Sequence, residues 1–183
     1  MFEKEENALL VDSEVVDENI DPDIPAQRSF DPLTGLAVSR RMSREMALRA
    51  AYVVELRACT IEEALHDPLV TENQPVTDFT SRLITQSVTH AEAIDDIIRN
   101  KIERWEFHRV AMIDRLVLRL AVAEMLYFND IPPKVSMNEA IEIGKKFSTE
   151  NSGRFINGVL DSIYGDMGRG EKVLQTGGNK EPV

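Results

Sequence analysis

The chain is predicted to be all-α, with a core made by helices packing on helices, and three observations carry that prediction. Residues 110–128 (VAMIDRLVLRLAVAEMLYF) are apolar almost all the way round, which suits a helix buried on most of its faces. Elsewhere apolar residues recur at intervals of three and four behind residues that cap helices. No stretch shows period-2 alternation bounded by turn residues, so no sheet is expected.

Residues 1–38 contain Pro22, Pro25 and Pro32, many carboxylates and no sustained helical period, and are expected to be a disordered acidic extension. Ser39 then caps a helix to about Ala58, with Met46, Ala47, Ala50, Val53 and Val54 as its apolar stripe. Thr60-Ile61-Glu62-Glu63 is a capping box opening a short helix that ends near Pro68. After a loop holding Pro75, Thr77 or Asp78 caps one long helix that fades near Arg104 and Trp105. Its inward residues are Phe79, Leu83, Ile84, Val88, Ala91, Ile94, Ile97 and Ile98. The apolar helix follows and stops at Asn129-Asp130-Ile131-Pro132-Pro133, where two prolines remove amide donors. Ser136-Met137-Asn138-Glu139 reads as another capping box, starting a helix with Ala140, Ile141, Gly144 and Phe147 on one stripe. Beyond the polar turn 148–152, Phe155, Ile156, Val159, Leu160 and Ile163 share one face of a last helix. Burying each is worth about 1.5–3 kcal/mol, so this helix should dock on the two before it. Asn157 and Gly158 are read as packing residues, the amide bonding within the core and the glycine admitting another backbone. The helical domain thus spans residues 39–166, and residues 167–183 are expected to be a frayed polar tail.

At 183 residues, 43% hydrophobic and 29% charged, the composition is that of an ordinary globular protein. No apolar run reaches the ~18 residues needed to span a bilayer, and the acidic N-terminus lacks the order of a signal peptide. Cys59 stands alone, so no internal disulfide can form and a reducing cytoplasm fits. The net charge of −11 is unevenly placed: residues 1–38 hold ten acidic groups against Lys4 and Arg28, which leaves −3 for the rest. The three histidines, His66, His90 and His108, lie too far apart for metal-ligand spacing. Glu62-Glu63 and Asp95-Asp96 are adjacent pairs that split across helix faces, so they read as solvated charges rather than an acid/base couple. No glycine loop suited to phosphate is present, and no catalytic residue, cofactor or metal is expected.

Arg40, Arg41 and Arg44 crowd the first turns after Ser39, where the positive end of the helix dipole disfavours each by roughly 0.3–1 kcal/mol when exposed. Glu45 offers partial relief through Arg41 and Arg49. Three breaches of a local rule in five residues hint at function, since phosphates there would turn repulsion into attraction. Spacing alone leaves two readings open, a solvated charged face and a nucleic-acid contact. Tyr52, two to three turns on, could stack a base or pack into the core, and a lone tyrosine more often packs.

Together these residues resemble the NusB family of bacterial antitermination factors. The resemblance rests on Asp114-Arg115-Leu116-Val117-Leu118-Arg119, Ala123-Glu124-Met125-Leu126 and Ile131-Pro132-Pro133-Lys134-Val135. It continues through Asn138-Glu139-Ala140-Ile141-Glu142, Lys145-Lys146-Phe147 and Phe155-Ile156-Asn157-Gly158-Val159-Leu160-Asp161, with Arg40-Arg41-x-x-Arg44-Glu45 at the other end. It implies an all-helical fold of two packed helical subdomains. It also implies binding of boxA-type single-stranded RNA together with the ribosomal protein NusE, within an antitermination complex on RNA polymerase that acts on ribosomal RNA operons. By the same resemblance Arg40, Arg41 and Arg44 occupy the RNA-binding arginine motif, Tyr52 a nearby aromatic position, and Asn151, Arg154 and Phe155 a turn along the RNA path. Asp114 matches an acidic position facing NusE.

The chain departs from the family pattern at Met42, where a third adjacent arginine is frequent, and at Gly144, where alanine is usual and glycine costs about 1 kcal/mol unless it permits close packing. Asn151 replaces a common aspartate. The acidic extension lies outside the family core, and its position before Ser39 suggests competition with RNA for the arginines. Two further readings are a helical protein–protein adaptor whose arginines meet an acidic partner, and a ribosome-assembly factor. NusB-like domains also precede RNA methyltransferase domains, but the chain ends soon after its helical core. A homodimer of the free protein would hide the arginines.

Overall fold

The computed structural model describes residues 28–30, 37–102 and 107–168, with backbone alone at residues 28–30 and 37. The acidic extension (apart from those strand residues) and the tail beyond Gly168 lie outside the described residues, and the helix expected to fade near Arg104-Trp105 ends earlier, at Arg99. Two short strands come first, β1 (Arg28–Phe30) and β2 (Ala37–Ser39), paired antiparallel with Arg28 opposite Ser39 and Phe30 opposite Ala37. This corrects the expectation of no sheet. Strands of three residues are too short to declare themselves by alternation.

Helices follow as α1 (Arg40–Arg57), α2 (Ile61–Leu65), α3 (Pro68–Thr71), α4 (Asp78–Thr89), α5 (Ala91–Arg99), a 3-10 turn at Phe107–Arg109, α6 (Met112–Tyr127), α7 (Pro133–Phe147) and α8 (Glu150–Gly168). Their starts obey local chemistry. Ser39 accepts from the amide of Met42, Thr60 and Glu63 form the reciprocal capping box, and Thr77 accepts from the amide of Thr80. Helix α1 ends where Ala58 turns left-handed (φ 50°) and its amide bonds Val54.

Two further boundaries differ from expectation. The single long helix is broken at His90 (φ −106°, ψ 19°), separating α4 from α5. No proline or glycine marks the break; the His90 ring stacks on Tyr127 at 4.4 Å, a contact that only the tertiary fold supplies. Helix α7 begins at Pro133, not at Ser136, because a proline in the first turn gives up an amide that has no helical partner there. Ser136 and Glu139 are therefore inside the helix and free to bond elsewhere.

Helices α1 to α4 pack on one another, α6, α7 and α8 form a second group, and α6 also meets α1, α4 and α5. The apolar helix is thus the element both subdomains share, with Leu116, Val117, Leu118, Val122 and Ala123 all buried. The predicted faces point inward: Met46, Ala47, Ala50 and Val53 on α1 and Ile156, Val159, Leu160 and Ile163 on α8 are buried, while Val54 and Phe155 are half-buried. A Cβ on Gly144 would lie 2.3 Å from Cδ1 of Ile156, so this glycine does permit close packing of α7 on α8. Asn157 and Gly158 are exposed, and a Cβ on Gly158 would meet nothing within 4 Å, which corrects their assignment to the core. At 3.6 residues per turn Gly158 falls on the side of α8 opposite Ile156 and Leu160, and Asn157 on the flank between. No helix among the described residues is long and apolar enough to cross a membrane.

Candidate nucleic-acid interface

Helices α1 and α4 begin side by side. The Ser43 hydroxyl donates to the carbonyl of Ser39 (3.2 Å) and accepts from Thr77 Oγ1 (3.0 Å), while Thr80 Oγ1 donates to the Ser43 carbonyl (3.2 Å). The arginine cluster therefore sits where two positive helix ends meet, and it is carboxylates from α6 and α7 that neutralise it.

Each arginine has a different environment. Arg44 is buried, and its Nε and Nη2 donate to Glu124 at 2.8 and 2.7 Å; Ser136 Oγ also donates to Glu124, at 2.7 Å. With its fork closed on a buried carboxylate, Arg44 presents nothing to a surface phosphate, which corrects its expected contact role. Arg41 is forked in the same way by Glu139, at 3.1 and 2.9 Å, but its side chain is 55% exposed. The Glu139 hydrogen bond holds the Arg41 pKa above its ordinary value, outweighing the burial that lowers it. Arg40 is half-buried with its guanidinium 4.4 Å from the centroid of Phe79, and the same ring lies 5.3 Å from that of Arg44.

Glu45 gives part of the expected relief, and the rest of its charge goes to Lys146. Glu45 is buried and accepts from Lys146 Nζ at 2.8 Å through each oxygen, while Arg49 Nη2 is 3.9 Å away and pairs with Glu72 at 3.0 Å. Together with Arg49 and Lys146 over the Phe147 ring, these contacts line a seam between α1 and α7 that runs from the arginines toward the α7–α8 turn. Tyr52 is half-buried against the core, about 12 Å further along the α1 axis than Arg44 at 1.5 Å per residue.

A cleft of about 310 Å³ lies beyond that turn, lined by Arg109, Asp114, Thr149, Asn151, Ser152 and Phe155 among others. It forms where α6 and α8 start together. The amides of Thr149 and Ser152 donate to each other's hydroxyls at 3.2 Å, and Ser152 Oγ donates to Asp114 Oδ2 at 3.0 Å. Asp114 is 7% exposed, and its Oδ1 has no hydrogen-bond partner among the described residues. Asn151 is exposed in the first turn of α8 and Phe155 half-buried, while Arg154 is exposed and does not line the cleft. The expected site residues thus lie mainly at two helix starts, with Tyr52 apart along α1 and Arg154 outside the cleft.

Sequence reasoning passed over Glu124, Glu139, Phe79, Lys146 and Ser152. The one available signal was Glu124, a carboxylate within a helix apolar on nearly every face, which demands a buried cation. Asp95 was also misread as solvated: it is buried and forked to Arg119 at 2.6 and 2.7 Å, which raises the Arg119 pKa. Glu62 and Glu63 are exposed, as expected. No group of three or more His, Cys, Asp or Glu side chains among the described residues could hold a metal ion.

The sequence profile of the NusB family matches residues 41–165. The chain is 40% identical over 142 residues to the transcription antitermination protein NusB of Salinibacter ruber, spanning 76% of this chain and 89% of that one. Among solved structures, NusB of T. maritima matches with a TM-score of 0.65 at 36% identity, over 70% of this chain and 92% of that one. A crystal structure of antitermination factors NusB and NusE in complex with double-stranded RNA matches with a TM-score of 0.58 at 29% identity, over 69% of this chain and 96% of that one.

Proposed function

The chain belongs to the NusB family, and from that premise we propose that it is a transcription antitermination factor that binds boxA-type RNA together with NusE, as part of a complex on RNA polymerase serving ribosomal RNA operons. It works as a non-enzymatic adaptor in the cytoplasm. Arg40 and Arg41 hold phosphates, and Arg44 braces them from inside. Asn151, Arg154 and Phe155, with Tyr52 along α1, contact unpaired bases. Asp114, at the wall of the cleft, is the acidic residue on the side that faces NusE.

The observation that carries this reading is Arg41, an arginine forked on one side and more than half exposed on the other, beside a second cation at two converging helix ends. The test is RNA binding by the NusE complex, comparing wild type with Arg40→Glu/Arg41→Glu, and single-stranded boxA RNA with the same sequence in a duplex. Wild type should prefer the single strand, with affinity that falls as salt rises, and the double variant should lose most binding. Equal binding by wild type and variant rejects the reading.

A further inference from the structure

We propose that Glu139 is a positioning residue of the RNA interface, fixing the Arg41 guanidinium so that one complete hydrogen-bonding edge faces an incoming phosphate. The inference rests on the RNA-binding function proposed above. A guanidinium carries five N–H groups in a rigid plane. Glu139 takes Nε–H and one Nη2–H, at 3.1 and 2.9 Å. The two Nη1 hydrogens and the second Nη2 hydrogen remain, and the Nη1/Nη2 edge is a fork that matches two phosphate oxygens.

The carboxylate that holds Arg41 is itself held. Its side chain is 13% exposed, and its Oε2 also lies 3.8 Å from Nη1 of Arg44, whose own fork is closed on the buried Glu124. Support therefore passes outward in alternating charge, from Glu124 through Arg44 and Glu139 to Arg41. A carboxylate beside a phosphate-binding arginine could instead compete with the phosphate. Glu139 occupies the Nε/Nη2 edge, and among the described residues no hydrogen bond closes the Nη1/Nη2 edge, so a phosphate takes a different edge from Glu139. Glu142 and Glu45 add negative charge around Arg41 without forking it. A long flexible side chain already frozen in its bound arrangement loses less freedom on binding, whereas charge repulsion at an exposed site is damped by salt.

The test uses the full chain with NusE and a single-stranded boxA oligonucleotide, and measures affinity for Glu139→Asp and Glu139→Ala, each with Arg41 intact and with Arg41→Ala. Aspartate keeps the charge but is one methylene too short to close the fork. Both variants should bind roughly two- to tenfold more weakly, and neither should weaken binding further once Arg41 is gone. Thermal melting identifies any loss due to unfolding, and the aspartate variant, which keeps its charge beside Arg44, is expected to stay folded. Wild-type or tighter binding by the aspartate variant overturns the inference, as does an equal loss in the Arg41→Ala background. Absence of RNA binding by the wild type rejects the function itself, a separate and recognisable result.

Discussion

Arg41 and Arg44 are three residues apart, carry the same charge and are each forked by one glutamate, yet burial gives them different work. Arg44 is a structural ion pair, and removing one partner strands a buried charge. Arg44→Ala should destabilise the protein by about 3–5 kcal/mol, read from urea denaturation. Arg41→Ala, at an exposed pair, should change stability by less than about 1 kcal/mol. It should instead lower the slope of log K against log salt by about 0.7, the value for one fewer neutralised phosphate on a single strand. A variant that became less stable but kept the slope would place Arg41 with Arg44 in the core.

At the scale of elements, α8 carries a residue that its own packing does not require. Gly158 sits mid-helix, exposed, with open space where a side chain would go. Gly158→Ala should therefore stabilise the fold by about 0.5–1 kcal/mol, seen as a raised denaturation midpoint. Gly144 is the opposite case, since Ile156 fills the space beside it. Helix α2 supplies a pH prediction. The Thr60 amide and hydroxyl hold the Glu63 pKa below the ordinary glutamate value. A carboxylate with a lower pKa folded than unfolded contributes stability above its unfolded value, about 4.3, and loses it as pH falls through the folded one. Thr60→Ala removes the hydroxyl but keeps the amide, so the Glu63 titration, followed by NMR, should move only part of the way back to the ordinary range.

For the whole molecule, charge distribution matters more than net charge. Residues 1–27 hold nine acidic groups and one lysine, a net −8 placed ahead of the arginines at the head of α1. We propose that this extension competes with RNA for them. Deleting residues 1–27, which spares both strands and the buried Val38, should raise RNA affinity at low salt. The gain should shrink as the screening length falls below about 10 Å above 0.1 M salt. Unchanged affinity at matched low salt would make the extension irrelevant to binding.

The sequence alone determined the helical class, the caps at Ser39 and Thr60, the inward faces of α1, α6 and α8, and the family, because each is written in residues close together along the chain. Two things were decided only by tertiary structure: the break at His90 and the division of three similar arginines into one buried brace and two outer cations. The start of α7 at Pro133 follows a local proline rule that the capping-box reading of Ser136 overrode. The break and the division depend on partners far away in sequence, Tyr127 for His90, Glu124 for Arg44 and Glu139 for Arg41. Local periodicity tells which side of a helix turns inward, but not which opposite charge will be waiting there.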